Sequence, residues 1–285
     1  MRSLTWLAAA SVLLIDLPGG AATPTLHDRL AELECASGGR LGVVALGAAN
    51  QPLVTYRADE RFPFCSTFKA LLAGAILHRS ASSPGLLAER IPYTKDQLVT
   101  YSPITEQHVG AGMTVAGLCA AAIQHSDNTA ANLLIARLGG PDAVTAFARS
   151  IGDTQFRLDR WETALNTAIP GDVRDTTTPA AMAHSLRRLA LGESLLPSAR
   201  TRLTDWLRGN TTGATRIRAG VPAAWQVGDK TGTGDYGTTN DIAVLWPSGK
   251  PPVVLAVYFT QRNQHAAARS DVIAEAARLV AEAID

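Results

Sequence analysis

The sequence predicts an α+β protein: an antiparallel sheet flanked by terminal helices, with an all-helical domain inserted into it. Three observations lead there. Strand-like runs lie near both ends of the chain: Leu41 to Leu46 and Leu53 to Arg57 early, then Trp225 to Thr233, Asp241 to Trp246 and Val253 to Phe259. Apolar residues at helical spacing fill the middle. Amphipathic helices are expected outside the strands, around Leu26, Leu30 and Leu33 and again from Ala267 to Ile284. The expected division is 1-22 as a signal peptide, 23-64 plus 211-285 as one discontinuous α/β domain, and 65-210 as the helical domain.

Taken in order, the chain starts with Arg2 and an apolar run from Leu4 to Ile15, followed by the small residues Gly20-Ala21-Ala22. This reads as a secretory signal, too short to span a bilayer. Asp16 fits that core poorly, and the alternative is a buried N-terminal helix. The signal reading places the protein in the periplasm or outside the cell, with no stable membrane association after signal cleavage; a monomer is also expected. The first amphipathic helix should stop at Gly38-Gly39, and Ala49-Asn50-Gln51-Pro52 should turn the first two strands. Pro63 then precedes a helical pattern at Phe68, Leu71, Leu72 and Ile76.

Pro84-Gly85 breaks that helix, and the chain reads as loop-rich to Gly112. Met113-Thr114 should open a helix over Val115 to Ile123, and Ser126-Asp127-Asn128 should interrupt it before another over Ala130 to Leu138. A further helix is expected over Ala143 to Ile151, then two more over Pro179 to Leu191 and Pro197 to Arg208. Between them, Arg157 to Thr178 has no periodicity; so long a loop in a compact domain is functional or disordered.

Composition narrows the function. With 46% hydrophobic and 18% charged residues, the 285-residue chain can bury a large core. A net charge of +1 without a basic tract argues against nucleic acid and anionic membranes. Three cysteines, Cys35, Cys65 and Cys119, do not make a disulfide framework. Six scattered histidines with no HExxH or CxxC give no metal site, and no cofactor is implied. No G-x-S-x-G elbow is present, which weakens a Ser-His-Asp reading.

The chemistry concentrates at Ser66-Thr67-Phe68-Lys69. If Ser66 opens the helix, its hydroxyl and the Lys69 amine share a face. Serine needs a base to become a nucleophile, and a desolvated amine can be one. The chain holds four lysines (Lys69, Lys95, Lys230 and Lys250) among 26 basic residues. Lysine here is therefore notable, because arginine cannot be deprotonated. The plain alternative is a helix-capping Ser66 and a solvated Lys69.

Three more segments fit beside it. Ser126-Asp127-Asn128 sits between two helices, where polar side chains can point into a cleft. Thr231 and Thr233 should share one strand face with Lys230 on the other, and Gly232 and Gly234 permit close approach. Glu162 and Asn166 can hold one water if their segment makes a helical turn.

Ser-x-x-Lys, Ser-Asp-Asn and Lys-Thr-Gly in this order resemble the penicillin-recognising serine enzymes. With Glu162-x-x-x-Asn166 added, nearly the whole chain from Thr25 resembles a class A serine β-lactamase. The resemblance implies a β-lactamase/transpeptidase-like fold and hydrolysis of penicillins and cephalosporins. It implies that Ser66 becomes acylated, that Lys69 or Glu162 through a water takes its proton, and that Ser126 relays a proton to the departing nitrogen. Backbone N–H groups of Ser66 and Thr233 would form the oxyanion hole. Thr231, Thr233 and Arg216 would bind the substrate carboxylate, beside Lys230 and Gly232. Asn128 would bind the acylamide, Tyr101 would line the mouth, and Glu162 with Asn166 would direct the deacylating water. Arg160 and Asp175 would pair to close the loop.

Departures matter as well. Relatives that hydrolyse carbapenems bridge a cysteine like Cys65 to one at the position of Gly234, and others bridge one like Cys119 to the position of Ala73. Neither partner is present, so no disulfide is expected and carbapenem hydrolysis is doubtful. Two rivals share the serine chemistry: a cell-wall transpeptidase or carboxypeptidase, and a non-catalytic β-lactam receptor. Glu162, Asn166 and their loop argue against both.

Overall fold

The computed structural model describes residues 24–284. The expected signal segment, 1-22, lies outside the described residues. Helix α1 (Leu26–Ser37) begins at Thr25, whose side chain accepts from Asp28 N while Asp28 caps back. It ends at Gly38 with φ +69°, a left-handed stop that favours glycine. Strands β1 (Arg40–Gly47) and β2 (Pro52–Tyr56) follow as an antiparallel pair. Strand β3 (Phe62–Pro63) leads into a single 3₁₀ turn, Cys65–Phe68, and then helix α2 (Lys69–Ser80).

Strands β4 (Arg90–Ile91) and β5 (Met113–Thr114) form a small ribbon. Helices α3 (Val115–Gln124), α4 (Asn128–Leu138) and α5 (Pro141–Ser150) come next. The expected loop contains a 3₁₀ turn, Ala164–Thr167, and strand β6 (Thr176–Thr177), which pairs with β3. Helices α6 (Pro179–Ala190), α7 (Pro197–Arg208) and α8 (Ile217–Gly220) precede strands β7 (Gln226–Gly234), β8 (Thr238–Trp246) and β9 (Val253–Thr260). Helix α9 (Ser270–Ile284) closes the described chain.

The main sheet runs β2-β1-β9-β8-β7, all neighbours antiparallel, so early and late strands share one sheet as expected. Both faces are covered. Alternate residues such as Leu41, Val43 and Val257 pack with Ile273 and Val280 of α9. Their neighbours Val44, Val254 and Tyr258 pack instead with the helical core around Leu71, Leu72 and Met182. This two-sided burial explains why β1 and β9 read as near-continuous apolar runs. Helix α2 is buried on every side from Lys69 to Leu77, as expected for a helix at the centre of a helical layer.

Two boundaries differ from expectation for local reasons. Ser66 stands in the 3₁₀ turn, because Thr67 N and Thr67 Oγ1 both donate to Phe64 O and tighten the entry. Helix α3 starts at Val115 as expected, with Thr114 Oγ1 accepting from Gly117 N as its cap. Strand β8 starts at Thr238, because Tyr236 and Gly237 both take positive φ and make a tight hairpin turn.

Strand β7 is an edge strand, and this positions the site. Its outer side lies along the Cys65–Phe68 turn. A Cβ built on Gly232 would stand 2.7 Å from Phe64 O and 3.2 Å from Ser66 N. From β8, Asn240 Nδ2 donates to Pro63 O and Phe64 O and fixes the chain that delivers Ser66.

Candidate active site

A cleft of about 380 Å3 opens between β7, the Ser66 turn and the start of α4. Nine of the twelve residues nominated from sequence line it: Ser66, Tyr101, Ser126, Asn128, Asn166, Arg216, Thr231, Gly232 and Thr233. The other three, Lys69, Glu162 and Lys230, are buried and bond to residues of its wall.

Beneath Ser66 lies a buried ion pair. Glu162 Oε1 is 3.0 Å from Lys69 Nζ and accepts from Ser66 Oγ at 3.3 Å. Lys69 Nζ also donates to Asn128 Oδ1 at 2.6 Å and Ser126 O at 2.8 Å. Three close acceptors match the three N–H bonds of an ammonium. Burial nevertheless pulls the Lys69 amine below its ordinary range, with the Glu162 carboxylate pulling the other way. Lys230 Nζ donates to Ser126 Oγ at 3.0 Å and Thr231 O at 2.7 Å. Its amine is driven well down, first by burial and then by the charge on Lys69. Ser126 therefore sits between two lysines.

Glu162 is held from two sides. Asn166 Nδ2 donates to Glu162 Oε2 at 2.6 Å, across the helical turn that their spacing requires. Asn132 clamps the backbone: its Nδ2 donates to Glu162 O, and its Oδ1 accepts from Glu162 N. Asn166 Oδ1 is buried without a hydrogen-bond partner. The loop itself is closed by Arg160, whose Nε donates to Asp175 Oδ2 at 2.5 Å and whose Nη1 donates to Thr167 Oγ1. Asp175 Oδ1 accepts from the N–H groups of Asp159 and Arg160.

The cleft wall is strained where it is polar. Tyr101 and Ser126 have positive φ, at 64° and 56°, as does the buried Cys65 just before Ser66, at 47°. Such conformations are costly for residues with a Cβ and persist where surrounding bonds impose them. Around Tyr101 and Ser126, Asp127 and Asn128 supply such bonds. The Asp127 carboxylate caps α4 at Ala130 N and accepts from Ile104 N, Thr105 N and Thr105 Oγ1. Asn128 N donates to Tyr101 O, and Asn128 Nδ2 to Thr100 O.

On the opposite wall, Arg216 Nη1 donates to Gly232 O and Asn240 O, and Nη2 to Thr233 Oγ1. Arg216 is thus committed to the edge strand as well as facing the cleft. Thr231 Oγ1 bonds Thr212 Oγ1 at 2.6 Å. Thr212 in turn bonds Asn210, which donates to Asp229 Oδ2. Cys35, Cys65 and Cys119 are free thiols, and burial pushes the Cys65 thiol up, away from reactivity. Among the described residues, no three His, Cys, Asp or Glu side chains gather as metal ligands.

Sequence reasoning missed Asn132, Thr212 and Asn240. Asn132 alone had a usable signal: it lies four residues after Asn128, on the same face of α4.

A serine beside a buried lysine and carboxylate, facing an edge strand, defines a serine hydrolase of the acyl-enzyme type. The comparisons name the family. The profile of the beta-lactamase enzyme family matches residues 25–284. Beta-lactamase OXY-1 of Klebsiella oxytoca is 55% identical over 99% of this chain and 98% of its own. The crystal structure of a beta-lactamase from Desulfarculus baarsii matches with a TM-score of 0.89 at 61% identity, covering 91% of this chain and 97% of that one. A mutant class A beta-lactamase of the last common ancestor of Gram-negative bacteria matches with a TM-score of 0.88 at 61% identity, over 91% and 98%. The chain belongs to the class A β-lactamases.

Proposed function

We propose that this β-lactamase opens the cyclic amide of penicillins and cephalosporins through an ester on Ser66, which water activated by Glu162 then hydrolyses. The observation that carries this reading is the contact of Ser66 Oγ with Glu162 Oε1 at 3.3 Å, beside Lys69. The hydroxyl proton has a carboxylate to go to, while the N–H bonds of Lys69 are already occupied. This favours Glu162 over Lys69 as the acceptor in acylation. As the C–N bond breaks, Ser126 gives its proton to the leaving nitrogen and is resupplied from the lysines beside it. The N–H groups of Ser66 and Thr233 hold the developing oxyanion; one such donor is typically worth about 10²–10³ in rate.

Deacylation needs a water held against the ester. Glu162 and the unpartnered Asn166 Oδ1 offer it two acceptors. Thr231 and Thr233, kept in place by Thr212 and Arg216, receive the substrate carboxylate. Lys230 and Gly232 support that subsite. Asn128 meets the acylamide, and Tyr101 borders the mouth, 57% exposed. The protein works as a monomer in the periplasm or outside the cell, after losing residues 1-22. The same reading divides the mature chain into 23-64 plus 211-285 and an inserted helical part, 65-210.

A chromogenic cephalosporin tests the reading. Sustained turnover far beyond one equivalent is expected. A single stoichiometric burst would instead indicate a transpeptidase, carboxypeptidase or receptor.

A further inference from the structure

A second cavity of about 760 Å3 shares no lining residue with the catalytic cleft. It lies between the end of α1, the start of β1, residues 260–262 and the loop segment 168–173 that follows Asn166. Four arginines, Arg40, Arg57, Arg61 and Arg262, face two carboxylates there, Glu34 and Asp172. Arg57 and Arg40 are paired with Glu34 and Glu60, and Asp172 is paired with Arg174. Arg61 donates only to neutral groups: Gln155 O, Gln155 Oε1 and Thr176 Oγ1. Arg262 has no partner among the described residues. Two guanidinium charges at one cavity therefore lack a carboxylate.

The loop wall is apolar. Ile169 and Val173 are 44% and 50% exposed, in a chain that otherwise buries most residues of their kind. Uncompensated positive charge beside exposed apolar surface suits a ligand with an anionic head and an apolar body. We propose that this cavity binds small amphipathic anions, carboxylates or sulfonates on an alkyl or aryl body. The head is held at Arg61 and Arg262, and the body lies on Ile169 and Val173. The site is separate from Ser66, so it can be filled while the cleft is acylated.

Anilinonaphthalene sulfonate, followed by its fluorescence, is the probe, with decanoate as competitor. Saturable binding to the purified protein is expected, displaced by decanoate, and unchanged in Glu162→Gln once a penicillin has acylated its Ser66. Arg262→Glu and Val173→Asp should each weaken it by about tenfold, the equivalent of one lost charge or apolar contact. Both should keep wild-type turnover of the chromogenic cephalosporin, which certifies their fold. Binding abolished by Ser66 acylation would place the probe in the catalytic cleft and overturn the proposal. Equal affinity in both variants, or no displacement by decanoate, would also overturn it.

Discussion

Lys69 Nζ and Glu162 Oε1 stand 3.0 Å apart with neither side chain exposed to solvent. A buried ion pair contributes little net stability, because desolvation offsets the attraction. Its value here is positional. The pair draws the loop carboxylate down onto the start of α2, just after the turn that carries the nucleophile, and Ser66 Oγ lies within reach of it. The ester and the group that hydrolyses it are thereby built on different segments and locked by one contact.

The closing of that loop is the first thing to test. Asp175 is buried and accepts from Arg160 Nε and two backbone N–H groups. Asp175→Ala strands those donors and should cost about 2–4 kcal/mol. Deacylation should suffer more than acylation, because the loop carries Glu162 and not Ser66. Denaturant titration and burst kinetics read the two effects separately. An unaltered burst-to-steady-state ratio would detach the pair from the site.

Gly234 offers a second test. A Cβ there would lie 2.5 Å from Asn166 O and 2.7 Å from Cys65 Sγ. Gly234→Ala must therefore displace the Asn166 segment, the Cys65 turn or both. Accumulation of acyl-enzyme is expected, with kcat lower by about tenfold or more for a small misplacement of the water-holding residues. Wild-type kcat would mean that the loop yields freely.

Much of this site was legible before any coordinates. Ser66, Lys69, Ser126, Lys230 and Glu162 stand in short patterns whose chemistry limits the residue type, and the alternating strands put Thr231 and Thr233 on one face. The direct contact between Glu162 and Ser66 was not legible, because it spans 96 positions and depends on how an aperiodic loop folds. Asn132 was within reach through its spacing from Asn128 on α4, whereas Thr212 and Asn240 escaped for a related reason. They work through backbone and hydroxyl contacts that leave no pattern. The helical start expected at Ser66 failed because Phe64 O accepts twice from Thr67 and tightens the turn.

Beneath the substrate wall, Asp241 is buried and its Oδ1 has no hydrogen-bond partner. Burial, followed by the nearby Asp229 charge, lifts its carboxyl well above the usual range. The native state then holds a proton that the unfolded chain releases. Stability from this group is complete below the unfolded value and is lost as pH rises through the folded one. Asp241→Asn removes that loss. Its stability relative to wild type should improve steadily with pH above about 4, reaching on the order of 1 kcal/mol or more. Urea titrations across pH check this, and a difference independent of pH would refute it.

The most direct measurement is intact-protein mass spectrometry of Glu162→Gln mixed with a penicillin, alongside steady-state turnover. The substitution keeps shape and removes the base, a change typically worth about 10²–10⁴ in rate. A stable adduct of one penicillin on Ser66, formed more slowly than in wild type because Glu162 also serves acylation, with turnover reduced by that factor, is the predicted result. Wild-type turnover, with no adduct accumulating, would contradict the assignment of Glu162 as the group that frees the ester.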